Sequence, residues 1–344
     1  MWVVNIQHDS VLHEPSYQLR DHTARLNDEF SRGNYVQVMR LIEGNVLSSL
    51  YGNQTDHFRG ILEVLIQQGV DHNGVARTLL SIVTSPSGGA PEEPVLMLVE
   101  AGDEELRTLR FFSLLADHRM RGRTHKAENM LDLIDSFIGQ RPCLTDMPSG
   151  WRLMLAVQCG ITAMLAGDFT RAQAYFAAAR LHTLIPSLAF LTRDAYVKTA
   201  MICAVFGDPD DAAVLLSQAR NVPRTSSWAE PLIDADVTIV EALLDIEQGE
   251  RALAHLESIP LYLIGEMWPF YVLALHRCAE RAGKRRQFLK RLTILEQAHL
   301  PRIVGEGVPG SVFQVIRAIT HLRWNDFEEA KRLLATADPH YVGM

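Results

Sequence analysis

The stretch between residues 160 and 179 most constrains what this chain can fold into. An apolar run ends in Ala-Gly-Asp-Phe, and a second run follows with small and aromatic residues at spacings of four and three. Those positions are Ala172, Phe176 and Ala179. This order matches the tetratricopeptide pattern of two antiparallel helices joined by a glycine turn. We expect Gly160 to lie where the two helices approach closely and Gly167 to adopt a positive φ at the turn.

The same turn recurs along the second half of the chain. The turn residues are Gly167, Gly207, Gly249, Gly283 and Asn325. Their steps are 40, 42, 34 and 42 residues, mostly longer than the 34 of a strict tetratricopeptide repeat. One helical hairpin cannot bury its apolar face alone, so neighbours must stack on it. The sequence therefore predicts an all-α, tetratricopeptide-like α-solenoid of roughly eight helical hairpins.

Breaks in the helical pattern divide the chain into five segments. The predicted segments are a lead-in (1–15), N-terminal helical repeats (16–84), a flexible loop rich in proline and glycine (85–94), middle helical repeats (95–150) and regular tetratricopeptide-like repeats (151–344). Within the N-terminal repeats, Asp56 is predicted to cap a helix, because its carboxylate can accept a backbone N–H of the first turn.

Composition excludes several classes of protein. The net charge of −8 disfavours a general binder of nucleic acid or of anionic membranes. The four cysteines lie far apart, which favours free thiols in a reducing compartment over a disulfide framework. The N-terminus lacks the pattern of a signal peptide, and no apolar run approaches the roughly 20 residues of a membrane span. We therefore expect a cytoplasmic protein.

Catalytic signatures are missing from the sequence. Gly283-Lys284 is followed by Arg285 and lacks the upstream glycine of a phosphate-binding loop. The zinc-protease, serine-hydrolase and paired-cysteine motifs do not occur, and the thirteen histidines are dispersed. No set of residues fills the roles that catalysis requires. We expect no enzyme activity, no cofactor and no metal site.

Three tryptophans suggest a binding surface. Trp151, Trp228 and Trp268 each fall 15 to 21 residues before a turn glycine, near the start of a first helix. In successive repeats they are predicted to form a row along one rim, where rigid aromatic groups and a few polar groups suit a small molecule. The polar candidates beside them are Arg152, Arg193, Glu230 and Glu266. The alternative is that the tryptophans are packing wedges between repeats.

A basic run extends from Arg277 to Arg291, with only Glu280 against it. Such a run is usually a solvated helix face. A more specific interpretation is that the run is a docking patch for an acidic partner or a nucleic acid.

Short motifs add a family resemblance. Beside the Ala-Gly-Asp-Phe turn, the sequence contains two further runs: Asn221-Val222-Pro223-Arg224-Thr225-Ser226-Ser227-Trp228 and Gly265-Glu266-Met267-Trp268-Pro269-Phe270. They resemble the helical-repeat sensor region of large LuxR-type transcriptional regulators, similar in plan to the maltose-regulon activator. The resemblance covers most of the chain from about residue 16.

The resemblance implies a function in sensing. Such regulators carry an ATP-binding domain ahead of the repeats and a DNA-binding domain behind them, and neither pattern is visible here. The implied role is recognition of a small-molecule inducer or of a protein or peptide partner, with no direct contact to nucleic acid or membrane. The alternative is a stand-alone scaffold that binds a peptide or protein. The sequence leaves the oligomeric state open.

Overall fold

The structure is a computed structural model. It describes residues 18–84, 104–120, 123–140, 149–245, 248–297, 307–323 and 325–335. These residues are helical and contain no β-strand, which confirms the all-α prediction for this part of the chain. The predicted lead-in (1–15) and flexible loop (85–94) lie outside the described residues.

Five helices precede the first gap. They are α1 (Leu19–Ser31), α2 (Tyr35–Gly44), α3 (Val46–Gly52), α4 (Thr55–Gln67) and α5 (Val75–Thr84). The short helix α3 was not predicted as a separate element. Asn45 interrupts the helical run with φ −150° and ψ 60°, and α3 then begins with a new direction.

The remaining helices follow mostly in pairs joined by short turns. They are α6 (Glu104–Met120), α7 (Thr124–Gln140), α8 (Ser149–Ala166), α9 (Phe169–Leu181), α10 (Ala189–Phe206), α11 (Pro209–Asn221), α12 (Glu230–Leu244), α13 (Gly249–Ser258), α14 (Leu261–Ile264), α15 (Trp268–Arg281), α16 (Arg285–Gln297), α17 (Gly307–Leu322) and α18 (Phe327–Ala335). Two 3₁₀ segments, Pro186–Leu188 and Gly265–Met267, precede α10 and α15.

The pair α8–α9 has the geometry that its sequence predicts. A Cβ built at Gly160 would lie 2.5 Å from the ring of Phe176, so the two helices meet more closely than any larger residue allows. Gly167 has φ +89°. The side chain of Asp168 then accepts a hydrogen bond from the backbone N–H of Arg171 at 3.0 Å, which caps the start of α9.

Other predicted turns differ in detail. Gly283 and Asn325 adopt the left-handed φ that the pattern predicts, at +67° and +60°. Gly207 does not, because its φ is −126°. Gly249 lies inside the first turn of α13, where a Cβ would come within 3.0 Å of the Cys278 carbonyl oxygen. It therefore serves close helix packing.

The predicted cap at Asp56 is wrong. The helix α4 already begins at Thr55, and its N-cap is Gln54, which makes no side-chain capping bond. Asp56 instead lies in the first turn, where its carboxylate is 3.6 Å from the Arg59 guanidinium. An acidic group there still interacts favourably with the positive end of the helix.

Helices pack against their chain neighbours in a regular order. The first helices of successive pairs contact one another in the order α6, α8, α10, α12, α15 and α17, and each second helix packs on its own partner. Other contacts depart from this order: α8 also touches α17, the 3₁₀ segment Pro186–Leu188 touches α1, and the loop before α12 touches the N-terminal helices through Trp228. One continuous apolar core runs from Leu26 to Ile316.

The described helices were also compared with the dimensions of a bilayer. None of them alone has the length and apolar character of a membrane span. The segments Gly249–Ser258 and Leu261–Arg281 reach that composition only together, across a bend of 99°.

Candidate functional site

A cavity of about 160 Å³ lies where α3, α8, α10, α12 and the turn before α15 meet. Its walls combine aromatic, aliphatic and charged side chains from segments far apart in the sequence. The aromatic and polar lining residues are Tyr51, Gln158, Phe190, Asp194, Lys198, Trp228, Asp236 and Glu266. The apolar lining residues are Ile161, Leu191, Ala229, Leu232, Ile233, Leu263, Ile264, Gly265 and Met267.

The aromatic wall joins the N-terminal helices to the later repeats. Trp228 stacks on Tyr51 with ring centroids 5.6 Å apart and planes 21° apart, and its indole N–H donates to the Leu50 carbonyl at 2.9 Å. The ring centroids of Tyr51 and Phe190 are 4.8 Å apart, and the Tyr51 hydroxyl donates to the Met154 sulfur at 3.1 Å. Burial raises the pKa of Tyr51, so its hydroxyl keeps its proton.

Charged groups form the deeper wall. Asp194 and Lys198 lie one turn apart on α10, and the Lys198 ammonium donates to Asp194 at 3.0 Å and to Asp236 of α12. All three side chains are buried or nearly so. Among the described residues, the second carboxylate oxygen of Asp236, Oδ1, has no hydrogen-bond partner. A buried acceptor without a partner is rare and costly, which makes this atom a candidate contact for a ligand.

The charge of this wall depends on pH. Burial raises the pKa of Asp236 to about 6, although the Lys198 ammonium opposes the shift. Burial also works against the charge of Lys198, but the Asp194 and Asp236 carboxylates outweigh it, so the pKa of Lys198 lies above its ordinary value. Near neutral pH the wall therefore carries one buried ammonium and an ionised Asp236.

Glu266 closes the cavity from the turn between α14 and α15. Gly265 allows the sharp turn, since its φ of +52° is one that glycine adopts without strain. The Arg119 guanidinium of α6 donates to both carboxylate oxygens of Glu266, at 2.7 and 3.1 Å. It also donates to the side chains of Gln158 and Thr162 of α8. A bidentate pair of this kind fixes orientation as well as charge.

A second ion network lies outside the cavity lining. Arg193 donates to Glu230 at 2.5 Å and to Asp234 at 2.6 Å, and Arg224 also pairs with Asp234. Glu230 further accepts the backbone N–H of Thr225 at 2.7 Å. This network ties the loop before α12 to α10 and so holds Trp228 in place.

The residues predicted for binding fall into distinct surroundings. Trp228 and Glu266 line the cavity. Trp151 is buried and stacks on Phe112 with planes 8° apart, and Trp268 is buried at the start of α15, so neither lines the cavity. The three tryptophans thus do not share this site. The other predicted polar residues are Arg152, which is exposed, and Arg193 and Glu230, which pair with each other.

Sequence reasoning missed most of the cavity. Lys198 and Asp236 stand within otherwise apolar helical runs, and a charged residue at a core position was the available signal. Tyr51 and Arg119 gave no such signal, because they contact Met154 and Glu266, which lie 103 and 147 residues away. Within the described ranges, no group of three or more histidine, cysteine or acidic side chains is arranged to hold a metal ion.

Comparisons with known proteins leave the family open. No family model, curated protein or solved structure matches this chain.

Proposed function

We propose that the helices form a tetratricopeptide-like α-solenoid whose first helices face inward. Support comes from the packing order of α6, α8, α10, α12, α15 and α17, each with a second helix behind it. The close approach of Gly160 to Phe176 is the local geometry that such repeats use. A tightly curved array with a narrow inner side would account for the contact between α8 and α17.

We further propose that the chain is the ligand-sensing solenoid of a LuxR-type transcriptional regulator and acts by binding rather than by catalysis. The observation that carries this proposal is the cavity between α3, α10 and α12. Its walls come from segments separated by up to 216 residues, from Tyr51 to Met267, so a ligand there contacts both the N-terminal helices and the later helices. Binding would favour arrangements in which these parts are joined, as a sensor requires.

A second observation favours the alternative, a scaffold for a peptide or protein. An open groove of about 380 Å³ lies between α11, α12 and α13 and combines both signs of charge. Its charged and titratable residues are Arg220, Glu241, Asp245, Arg251 and His255. A groove of this kind suits an extended peptide with charged side chains.

A thermal-shift screen of small metabolites tests the sensor proposal. A ligand at 100 times its dissociation constant adds about 2.7 kcal/mol to the stability of the folded state. We expect at least one metabolite to raise the melting temperature of the wild-type chain. The variant Ala229→Leu, which places a larger side chain in the cavity wall, should lose that response.

The matched control is Ala178→Leu on the exposed face of α9. It makes the same change away from the cavity and should keep the full ligand response. If no metabolite shifts the melting temperature while one protein partner binds stoichiometrically, the scaffold alternative replaces the sensor. A ligand that shifts Ala229→Leu as much as wild type would place the binding site elsewhere.

A further inference from the structure

We infer that the cavity takes a small organic cation, a primary ammonium group on a short apolar body. The inference deepens the proposed function and rests on it, because it names the chemical class of ligand for the same cavity. It is carried by three features: an excess negative charge, an unpaired buried acceptor, and an aromatic and aliphatic wall of limited size.

The charges of the cavity do not balance. Three carboxylates, those of Asp194, Asp236 and Glu266, line it. Among the described residues, two cations pair with them: Lys198 with the two aspartates and Arg119 with Glu266. One net negative charge remains, and uncompensated charge in a buried site is costly. A ligand cation would neutralise it.

The unpaired acceptor belongs to a side chain that lines the cavity, so an ammonium group that reaches it would supply the missing donor. Within the described part of the chain, Oδ1 of Asp236 has no hydrogen-bond partner, whereas its other oxygen accepts from Lys198. An ammonium N–H is the donor that a carboxylate binds most strongly. An anionic ligand would instead meet three carboxylates, and both cations are already paired.

The rest of the wall suits an amine with an apolar body. Trp228, Tyr51 and Phe190 bring aromatic rings to the cavity, and ring faces attract cations that have left water. Leu232, Ile264 and neighbouring aliphatic groups complete the lining. A void of about 150 Å³ holds a molecule the size of benzene. At about 160 Å³, the cavity therefore matches a ligand of roughly six to eight non-hydrogen atoms.

Three probes of nearly the same shape test this inference by titration calorimetry at pH 7.5. They are benzylammonium, benzyl alcohol and benzoate, which differ in the charge of one group. We expect benzylammonium to bind at least tenfold more tightly than benzyl alcohol, and benzoate to bind more weakly than either. Asp236→Asn should weaken benzylammonium at least tenfold and change benzyl alcohol less than twofold.

The matched control is Glu241→Gln, the same carboxylate-to-amide change on the same helix, since Glu241 is roughly half exposed and does not line the cavity. It should leave the affinity for benzylammonium within twofold of wild type. Equal binding of all three probes would overturn the cationic class and leave the sensor proposal standing. Failure of all three to bind would also overturn it, while the metabolite screen judges the sensor proposal separately.

A pH series on the wild-type chain supports the test without any variant. Protonation of Asp236 at about pH 6 removes the negative charge, so benzylammonium affinity should fall towards tenfold per unit below that pH. Benzyl alcohol affinity should stay constant. The other titratable or charged groups around the cavity are Tyr51 of α3, Arg119 of α6, Asp194 and Lys198 of α10, and Glu266 of the turn before α15. A benzylammonium affinity that is constant or rises on acidification would contradict the inference.

Discussion

At the scale of the residue, several buried polar groups carry the electrostatics of this chain. His22 is one of them: its imidazole lies in the core of the N-terminal helices, 2.8 Å from the Ser49 hydroxyl. Burial, with a smaller contribution from the nearby Arg25, lowers the pKa of His22 to about 4. The folded state therefore holds a neutral imidazole.

This makes stability depend on pH in a defined direction. In the unfolded chain a histidine titrates near 6.5, so the stability that His22 contributes is complete above that pH and falls as the pH drops towards 4. Between pH 7.5 and 4.5, we expect the loss from His22 to be about 2–3 kcal/mol. Over the same change of pH, the free energy of unfolding of His22→Gln should fall less than that of wild type, by that amount. Urea unfolding at both pH values measures the two free energies.

Comparing variants isolates His22 from other titrating groups. Asp236 acts in the opposite direction, because its raised pKa favours the folded state on acidification, but it is common to all the proteins compared. The exposed His57 provides the control, and His57→Gln should keep the wild-type pH dependence. Equal losses in His22→Gln and wild type would contradict the prediction.

At the scale of the element, the sequence predicted the helix pairs well. Gly160, Phe176 and Gly167 specify α8 and α9 because the constraints on them are local: a close approach and a left-handed turn. Prediction failed at the start of α4 and at the boundary between α2 and α3. The helix α4 begins at Thr55 without a side-chain cap, although Asp56 offered one. The break at Asn45 follows Gly44, and this pair of poor helix formers was the available signal.

The close approach within α8 and α9 gives a test of this local logic. Gly160→Ala puts a methyl group into the Phe176 ring, which is fully buried, so we expect a loss of about 1–3 kcal/mol in the free energy of unfolding. Gly60→Ala is the control, because a Cβ there meets nothing within 4 Å. It should gain about 0.5–1 kcal/mol, since alanine favours a helix. Denaturant unfolding of both variants checks the pair, and a stabilising Gly160→Ala would refute it.

At the scale of the whole molecule, the sequence did not predict which distant segments contact each other. The order of repeats follows from periodicity, but the cavity forms from contacts such as that of Trp228 with Leu50, 178 residues away. The sequence positions of Trp228 and Leu50 do not predict that these two residues are in contact. The prediction that Trp228 and Glu266 lie near a ligand site stays a prediction, and the cavity gives it a definite location.

One ion pair of this long-range kind has a measurable consequence. The Arg119 side chain of α6 is 1% exposed and pairs with Glu266, 147 residues later in the chain, in the turn before α15. Glu266→Ala leaves that buried cation with fewer partners. We expect a loss of about 3 kcal/mol, at the low end for a broken buried pair because Gln158 and Thr162 still accept from Arg119.

A surface pair supplies the comparison. Glu241 lies 2.5 Å from Arg220, but both side chains are roughly half exposed. Glu241→Ala should therefore cost less than about 1 kcal/mol in the same urea unfolding measurement. Similar losses for Glu266→Ala and Glu241→Ala would show that the Arg119 pair contributes no more than a solvated one.

The docking of α3 against Trp228 also bears on how the chain is made. A ribosome delivers the N-terminus first, at roughly 5–20 residues per second. Because the partner of Leu50 follows 178 residues later, the surface of α3 that Trp228 covers stays bare for roughly ten to forty seconds of synthesis. The cavity is therefore assembled late, after translation has passed the loop before α12, and the nascent N-terminal helices must remain unaggregated until then.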